Sequence, residues 1–417
     1  MTVWTPDWKL TVAGTDYTDI AIADITHQSG RSDIYSQPNP SYLQITLIAL
    51  SGQTLPFDIN DSLSLQVKNS SGSYVNLFGG DITDITVEVG AFGNVSKVVN
   101  YTILAMGSLV KLAKELYSDA ISQDEDGNQI YDLLSSVLLG SWNDVPAAET
   151  WAGYDPTETW AQAVNLGLGE IDQPGLYTMQ NRGGGQAPDT IYNIASLIAS
   201  SAFGYLYEDN QGNIGYADAD HRQNYLLTNG YVDLDANHAL GSGLSTIIRS
   251  GDIRNDIIIN YGSNFSQEKT ASSASSIALY GYKGESINST IHSAVDAQEV
   301  ADRYIAQRAF PLPALQSITF PITNPEIDDS DRDNLLSVFI GQPLNIQNLP
   351  TQISAGEFEG YVEGWSWRIR FNELFLTINL SPVAFSQVAM RWNTVPVGEA
   401  WNTLSPTLTW EYATIVA

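Results

Sequence analysis

Side chains capable of acid–base or metal chemistry are present in this sequence, but none forms the spacing of a recognised site. The 4 histidines are His27, His221, His238 and His292, and no two of them stand in an HExxH or comparable metal-ligand spacing. Neither a GxSxG nucleophile motif nor a GxxxxGK[ST] phosphate loop occurs. The absence of cysteine excludes disulfides and thiolate metal sites. We therefore predict no catalytic residues, no metal site and no cofactor.

Two acidic stretches come nearest to a cation site. DEDGNQ at 124–129 resembles a calcium loop, but its glycine is fourth rather than sixth and no acidic residue closes the loop at position twelve. EIDDSDRDN at 326–334 could hold a hard cation, and a solvated loop is the favoured interpretation. A glycosidase carboxylate pair stays open among 47 acidic residues, because the separation of such a pair is spatial and not sequential.

One tryptophan pattern occurs twice in the chain. WNDVPAAETWAGYDPTETW at 142–160 and WNTVPVGEAWNTLSPTLTW at 392–410 align without a gap at an offset of 250 residues. The two copies hold Trp142, Trp151, Trp160, Trp392, Trp401 and Trp410. A spacing of nine residues places successive tryptophans on opposite faces of a strand or a helix, so only a bend at the intervening prolines would bring them to one face. Three interpretations stay open: cover for an apolar patch of the same chain, docking to a partner, and stacking on carbohydrate.

Composition narrows the class of protein. A chain of 417 residues with 43% hydrophobic residues is expected to fold into two to four domains. The net charge of −29 argues against tight binding to nucleic acid, which requires lysine and arginine contacts to phosphate. No apolar run approaches the roughly 20 residues of a membrane span. The N-terminus MTVWTPDWKL lacks the features of a signal peptide, so we predict folding in a cytoplasm.

The sequence pattern of residues 1–110 predicts β-structure. SYLQITLIAL, DSLSLQVKN, GGDITDITVEV and VVNYTILAM alternate apolar and polar residues, and glycine- or proline-rich turns separate them. Short strands with regular turns are typical of a small antiparallel barrel or sandwich.

Residues 111–245 predict an α+β insertion that contains the first tryptophan repeat. Helices are expected at SLVKLAKELYSDA, at QIYDLLSSVLLG and at DTIYNIASLIASSA, the last with Asp189 as its N-cap. FGYLYEDNQGNIGYADA predicts a hairpin that turns at 209–212.

Residues 246–390 predict a second β-barrel that repeats the first. After a strand at DIIINYGS, a mobile loop at 271–284 and a helix at AVDAQEVADRYIAQRAF, four segments follow in the order of the N-terminal ones. LQSITFPI matches LQITLIAL, GQPLNIQNL matches DSLSLQVKN, FEGYVEGWSWRI matches NLFGGDITDITV, and ELFLTINLS matches VVNYTILAM. The predicted fold class is therefore mainly β with an α+β insertion and two antiparallel barrels, followed by a tail at 391–417 with the second tryptophan repeat.

The segment 294–382 resembles the C-terminal half of the minor tail proteins, or baseplate (tail-tip) hubs, of long-tailed bacteriophages. The similarity lies in ADRYIAQRAFP, LLSVFIGQPLNIQNLP and FEGYVEGWSWRIRFNELFLTINLSP, and GRSDIYSQPNPSYLQITL is similar to the opening barrel of that family. The resemblance implies tail-tube-like barrels and a non-enzymatic, homotrimeric hub of the virion that continues the tail tube and lets DNA pass. It also implies assembly in the host cytoplasm. The implied partners are the distal tail protein, the tape measure protein and tail-fibre or receptor-binding proteins. The alternative is a carbohydrate-binding or polysaccharide-cleaving β-protein of a virion or cell surface.

Overall fold

The computed structural model describes residues 4–17, 20–50, 53–89, 98–141, 168–184, 187–241, 244, 246–351, 356–370 and 373–386. The strands within these ranges are β1 Trp8–Val12, β2 Thr15–Tyr17, β3 Ala21–Gly30, β4 Asn39–Leu50, β5 Ser62–Lys68, β6 Tyr74–Val89, β7 Val98–Met106, β8 Leu116–Tyr117, β9 Asp124–Glu125, β10 Leu168–Ile171, β11 Thr178–Met179, β12 Asp189–Thr190, β13 Tyr205–Glu208, β14 Ile214–Ala217, β15 Val232–Asp235, β16 Thr246–Ile247, β17 Asp256–Tyr261, β18 Gln267–Ser272, β19 Gly284–Asn288, β20 Ala314–Leu315, β21 Ser317–Pro321, β22 Pro343–Gln347, β23 Phe358–Arg370 and β24 Glu373–Pro382. The α-helices are α1 Leu109–Lys114, α2 Asp126–Ser141, α3 Ile191–Ser201, α4 His221–Asn229, α5 Ala274–Tyr280, α6 Ala294–Arg308 and α7 Asp329–Leu336.

Two four-strand units in the protein share one topology. The first has the strand order β4-β7-β6-β5, and the second has the order β21-β24-β23-β22. Every pairing within both units is antiparallel. In each unit the first strand in the chain lies beside the fourth, followed by the third and the second. This agrees with the matching order of the four sequence segments. We call these unit 1 and unit 2.

The register of the strands is also repeated between the units. Thr46 of β4 lies opposite Thr102 of β7, and their hydroxyls are 3.4 Å apart. Thr319 of β21 lies opposite Thr377 of β24, with hydroxyls 2.8 Å apart. A slip of one residue would reverse the faces of a strand. The repeated threonine pair therefore shows that both units place the same strand positions toward the core.

A bulge occurs at the same place in each unit. In unit 1 the pairing of β6 with β7 shifts at Thr83, and in unit 2 the pairing of β23 with β24 shifts at Glu363. The residue before the bulge makes an equivalent hydrogen bond in the two units. Ile82 donates its N–H to the Asp61 carbonyl, and Val362 donates its N–H to the Gln342 carbonyl. Residue n of β6 therefore corresponds to residue n + 280 of β23.

The two units join into one sheet through β3. This strand pairs with β4 of unit 1 on one side and with residues 364–370 of β23 in unit 2 on the other. The resulting sheet has 12 strands, including β1, β2 and β15. Among the described strands this sheet does not close into a barrel. The mainly β class predicted from the sequence is confirmed, and two separate closed barrels are not seen.

Two hydrophobic cores support this sheet and the insertion. The larger core holds side chains of both units, including Ile45, Ile103, Ile318 and Ile378, all of them buried. The second core contains α2, α3 and β14 side chains from before residue 246 together with β17 and α6 side chains from after it. Burial of such side chains is the main favourable contribution to folding.

Most predicted elements outside the repeat are present, with local differences. The helices α2, α3 and α6 and the hairpin β13–β14 are confirmed. The N-cap of α3 is Thr190, whose side chain accepts from Asn193 N–H, and not Asp189 as predicted. The helix predicted at 108–120 ends at Lys114, because residues 116 and 117 pair with β12. The mobile loop predicted at 271–284 is wrong: it contains α5, capped by Ser273.

Candidate functional site

The six tryptophans predicted to dock a partner lie outside the described residues. The whole tail at 391–417 and the whole first repeat at 142–160 also lie outside the described residues. The docking role of these tryptophans stays a prediction. The described part of the chain contains a buried charge cluster where the end of β3, unit 2 and the insertion meet.

Glu363 lies at the centre of this cluster and is fully buried. Its carboxylate accepts a hydrogen bond of 2.6 Å from Arg31 Nε and bonds of 2.6 and 2.9 Å from the two terminal nitrogens of Arg222. Ser381 Oγ donates a fourth bond of 2.5 Å. Arg31 follows β3, Arg222 is in α4 of the insertion, and Glu363 is the bulge residue of β23. One carboxylate of unit 2 therefore links the end of β3, the strand that joins the two units, to the insertion.

Electrostatics in the cluster favour the ionised forms of Glu363 and Arg222, whereas burial lowers the pKa of Arg31. Burial alone would raise the pKa of Glu363, but the charges of Arg222 and Arg31 outweigh it and lower the pKa to about 2. Burial disfavours the charge of Arg222 as well, and the attraction of Glu363 exceeds that effect and raises the Arg222 pKa. The ring of Tyr205 lies 5.0 Å from the Arg31 guanidinium and 4.5 Å from that of Arg222, so its face adds a cation–π contact to each.

Close main-chain contact at the cluster requires two glycines. Gly30 has a φ of +79°, and a Cβ there would lie 2.5 Å from the Glu363 carbonyl oxygen. A Cβ on Gly364 would lie 2.6 Å from the Arg31 carbonyl oxygen. Arg31 N–H donates to the Glu363 carbonyl at 2.8 Å. The glycines let β3 approach β23 closely enough for the side-chain bridge to form.

A second buried carboxylate fixes the insertion to unit 1. Glu208 of β13 accepts from the main-chain N–H of Ser41, at 2.7 Å, and from that of Leu109 at the start of α1. Burial raises its pKa, and the hydrogen bonds from Ser41 and Leu109 act against that rise. A buried acid with main-chain donors is a structural anchor, because its removal would leave those N–H groups without a partner.

A third group of buried acids lies inside the insertion. Asp172 contacts His221 Nδ1 at 2.7 Å, and burial lowers the pKa of His221 well below its ordinary value. Burial and the nearby Asp172 raise the pKa of Asp218 to about 7. Asp126 accepts from Tyr177 N–H at 2.8 Å and from the Tyr216 hydroxyl at 2.5 Å. In the described part of the chain, no group of three or more His, Asp or Glu residues is arranged to hold a metal ion.

The two acidic stretches that come nearest to a cation site contain secondary structure. Residues 124–129 form β9 and the first turn of α2. The stretch 326–334 leads into α7, whose N-cap Asp328 accepts from Asp331 N–H, so the solvated loop predicted there is wrong. Of the remaining histidines, His27 is buried against Phe78, and burial lowers its pKa to about 3.

The Glu363 cluster was not recognised in the sequence, although one signal for it exists. Glu363 has only apolar residues and a glycine next to it in YVEGW, and a charged residue at such a position needs a buried partner. Its partners precede it by 332 and 141 residues, and no sequence spacing identifies them. The geometry supports a structural role, because the hydrogen bonds from Arg31 and Arg222 to Glu363 join separate parts of the chain to unit 2.

Two solved structures similar to this chain are tail proteins. One is a 43 kDa tail protein of prophage MuSo2 from Shewanella oneidensis, with a TM-score of 0.56 and 11% identity, covering 92% of this chain and 99% of that chain. Another is a tail protein from Neisseria meningitidis MC58, with a TM-score of 0.57 and 11% identity, covering 92% of this chain and 98% of that chain. No protein-family model matches the sequence, and a search of curated proteins gave no match. The chain has the fold of these two tail proteins, which confirms the resemblance inferred from the sequence.

None of the helices in the described ranges is both long and apolar enough to cross a membrane.

Proposed function

We propose that this protein is a structural subunit of a phage-type tail, a homotrimeric hub at the tail tip or baseplate. The observation that carries the proposal is the duplication of one four-strand unit, in strand order, register and bulge position, within a chain that has the fold of tail proteins. Three chains with two such units each would place six similar units around one axis. A six-fold tube could then continue into a three-fold tip, with each unit contributing strands to a barrel that closes only in the ring.

The charge of the chain is consistent with a passage for DNA. A net charge of −29 repels phosphate and would let DNA move through a lumen without adhering. The proposed role is non-enzymatic, and the proposed location is the virion, after assembly in the host cytoplasm. The proposed partners are the distal tail protein, the tape measure protein and fibre or receptor-binding proteins, which the tryptophan repeats would contact. The division into 1–110, 111–245, 246–390 and 391–417 belongs to the same proposal.

Light scattering on the purified chain, with negative-stain imaging, tests the trimer. We expect a mass of three times the 45.5 kDa chain and a ring with an axial hole. A chain that stays monomeric at all concentrations would contradict the proposal. Release of reducing ends from a host polysaccharide would instead support the carbohydrate-active alternative.

A further inference from the structure

The repeat in the chain extends to a fifth strand on the outer side of each unit. In unit 1, β3 precedes β4 in the chain and pairs with it antiparallel on the side away from β7. In unit 2, β16 precedes β21 and pairs antiparallel with β20, which leads into β21. Asp24 of β3 lies opposite Thr46, and the counterpart of Thr46, Thr319, accepts at its carbonyl from Leu240 N–H at 2.8 Å. Leu240 and β16 therefore hold the position in unit 2 that β3 holds in unit 1.

The strand β3 is paired on both sides, whereas its counterpart β16 is paired on one. The second side of β3 pairs antiparallel with residues 364–370 of β23. No described strand pairs with the second side of β16, and no main-chain hydrogen bond from another described residue reaches Thr246, Ile247 or Ile248 from that side. Within the described part of the chain, the contact between β3 and β23 thus has no equivalent at β16.

Unit 1 has the complementary opening on β6. Residues 84–89 of β6 correspond to 364–369 of β23, and no described strand pairs with them on the side away from β7. Ile82 directs both its N–H and its C=O to hydrogen bonds on the β5 side. Orientation alternates along a strand, and the extra residue at Thr83 shifts the alternation by one. Ile85, Val87 and Val89 therefore direct their N–H and C=O groups away from β7, as a template for another strand.

Both open sides carry exposed apolar side chains. Val87 and Val89 are 55% and 58% exposed, whereas their counterparts in β23, Trp367 and Ile369, are 1% and 5% exposed. Ile248, which follows β16, is 64% exposed. Exposed β-branched residues beside an open strand edge are unfavourable in an isolated molecule and are typical of a surface that another chain covers.

We propose that β16 of one copy of this chain pairs with residues 84–89 of β6 in the next copy, in the way that β3 pairs with β23 within the chain. The strands follow one another in the order β16, β20–β21, β24, β23, β3, β4, β7 and β6, so the two open sides stand at opposite ends of this path. Two different, complementary ends give a head-to-tail contact, and such contacts close into a ring when the rotation between copies allows it. The inference rests on the proposed hub and names the contact that would close its ring.

The filled junction also indicates which side chains would meet across the open one. Arg31, the first residue after β3, donates its N–H to the carbonyl of Glu363, the bulge residue of β23. The counterpart of Glu363 is Thr83, and the exposed Asp84 follows it. In the same arrangement the exposed Arg249, two residues after β16, would lie beside Asp84 of the next copy. Opposite charges at this position favour the proposed pairing of copies.

A proline in the open edge of β6 tests the proposed pairing. Val87→Pro removes an N–H that points away from β7, so it leaves the hydrogen bonds between β6 and β7 in place. Val87→Ile is the matched control, since it keeps the N–H and an apolar side chain. We expect the proline variant to keep its circular dichroism spectrum and to need an about tenfold or higher concentration to assemble, whereas the isoleucine variant assembles like the parent.

Disulfide cross-linking gives an independent test, because the chain has no cysteine of its own. Two double variants probe the contact, Asp84→Cys with Ile248→Cys and Asp84→Cys with Arg249→Cys. We expect covalent trimers from one or both under oxidation, and none from the single variants. Asp84→Cys with Val295→Cys is the control, because Val295 is 75% exposed but lies in α6, outside the proposed contact, and it should form no covalent trimer.

The two tests separate the strand contact from the hub itself. A parent trimer that Val87→Pro leaves unchanged, with no covalent trimer from either double variant, would overturn the pairing of β16 with β6 and leave the hub standing. A parent chain that is monomeric at every concentration, with no covalent trimer, would overturn both.

Discussion

Replacing Glu363 by glutamine isolates the contribution of the buried charge cluster. The side chain keeps its shape, so the change acts on charge and on hydrogen bonding. The carboxylate accepts bonds from Arg31, from Arg222 at two nitrogens and from Ser381. A glutamine amide has one acceptor oxygen and one donor nitrogen, and the donor would face guanidinium N–H groups. Glu363→Gln therefore loses about half of these bonds and leaves two buried cations without a counter-charge.

Two estimates of the stability that Glu363→Gln loses agree. Lowering a carboxyl pKa from 4.5 to about 2 corresponds to about 3 kcal/mol of stabilisation of the folded state at neutral pH. Removing one partner from a buried ion pair costs about 3–5 kcal/mol in other proteins. We expect Glu363→Gln to lower the free energy of unfolding by about 3–5 kcal/mol at pH 7.

Urea unfolding followed by tryptophan fluorescence measures this loss, and its pH dependence identifies its origin. The folded-state pKa is depressed, so the stabilisation is complete above about pH 5 and disappears as the pH falls toward 2. The variant should therefore approach the parent in stability at low pH. Glu285→Gln is the control: Glu285 pairs with Arg254 at the surface, and its loss should cost no more than about 1 kcal/mol. A Glu363→Gln deficit below 1 kcal/mol, or one independent of pH, would refute the reasoning.

Three further outcomes are expected. The raised pKa of Asp218 means that the folded state holds a proton more tightly than the unfolded chain, so the parent loses stability as the pH rises from about 4 to 7. Asp218→Asn should therefore unfold at a higher temperature than the parent at pH 8 and at the same temperature near pH 4, by differential scanning calorimetry. Gly364→Ala should lose about 2–4 kcal/mol in urea unfolding, because its Cβ meets main-chain oxygens, whereas Gly251→Ala, with open space around it, should change little. Deleting 391–417 should abolish co-purification of tail partners while leaving the melting temperature of the sheet unchanged; equal recovery of partners would remove the docking role of that repeat.

Much of this fold can be predicted from the local pattern of apolar and polar residues. The period-two alternation in SYLQITLIAL and ELFLTINLS predicts strands that the structure contains, because a strand with one buried face must alternate. The matching order of four segments predicts the repeated unit, since register and topology follow when apolar faces are placed alike. Helices with clear caps and apolar stripes, such as α3 and α6, were also predictable. The loop predicted at 271–284 failed because α5 buries Ser276 through contacts with Asn255 and Ala309, which are distant in the sequence.

The strands, the duplication and the acidic, cysteine-free character of the chain can be predicted without a structure, because they depend on residue type and near neighbours. The sharing of one sheet by both units through β3, and the contacts of Glu363 with Arg31 and Arg222, depend on how the whole chain folds. Those contacts join residues more than a hundred positions apart, and the attraction between them becomes strong only when folding removes them from water.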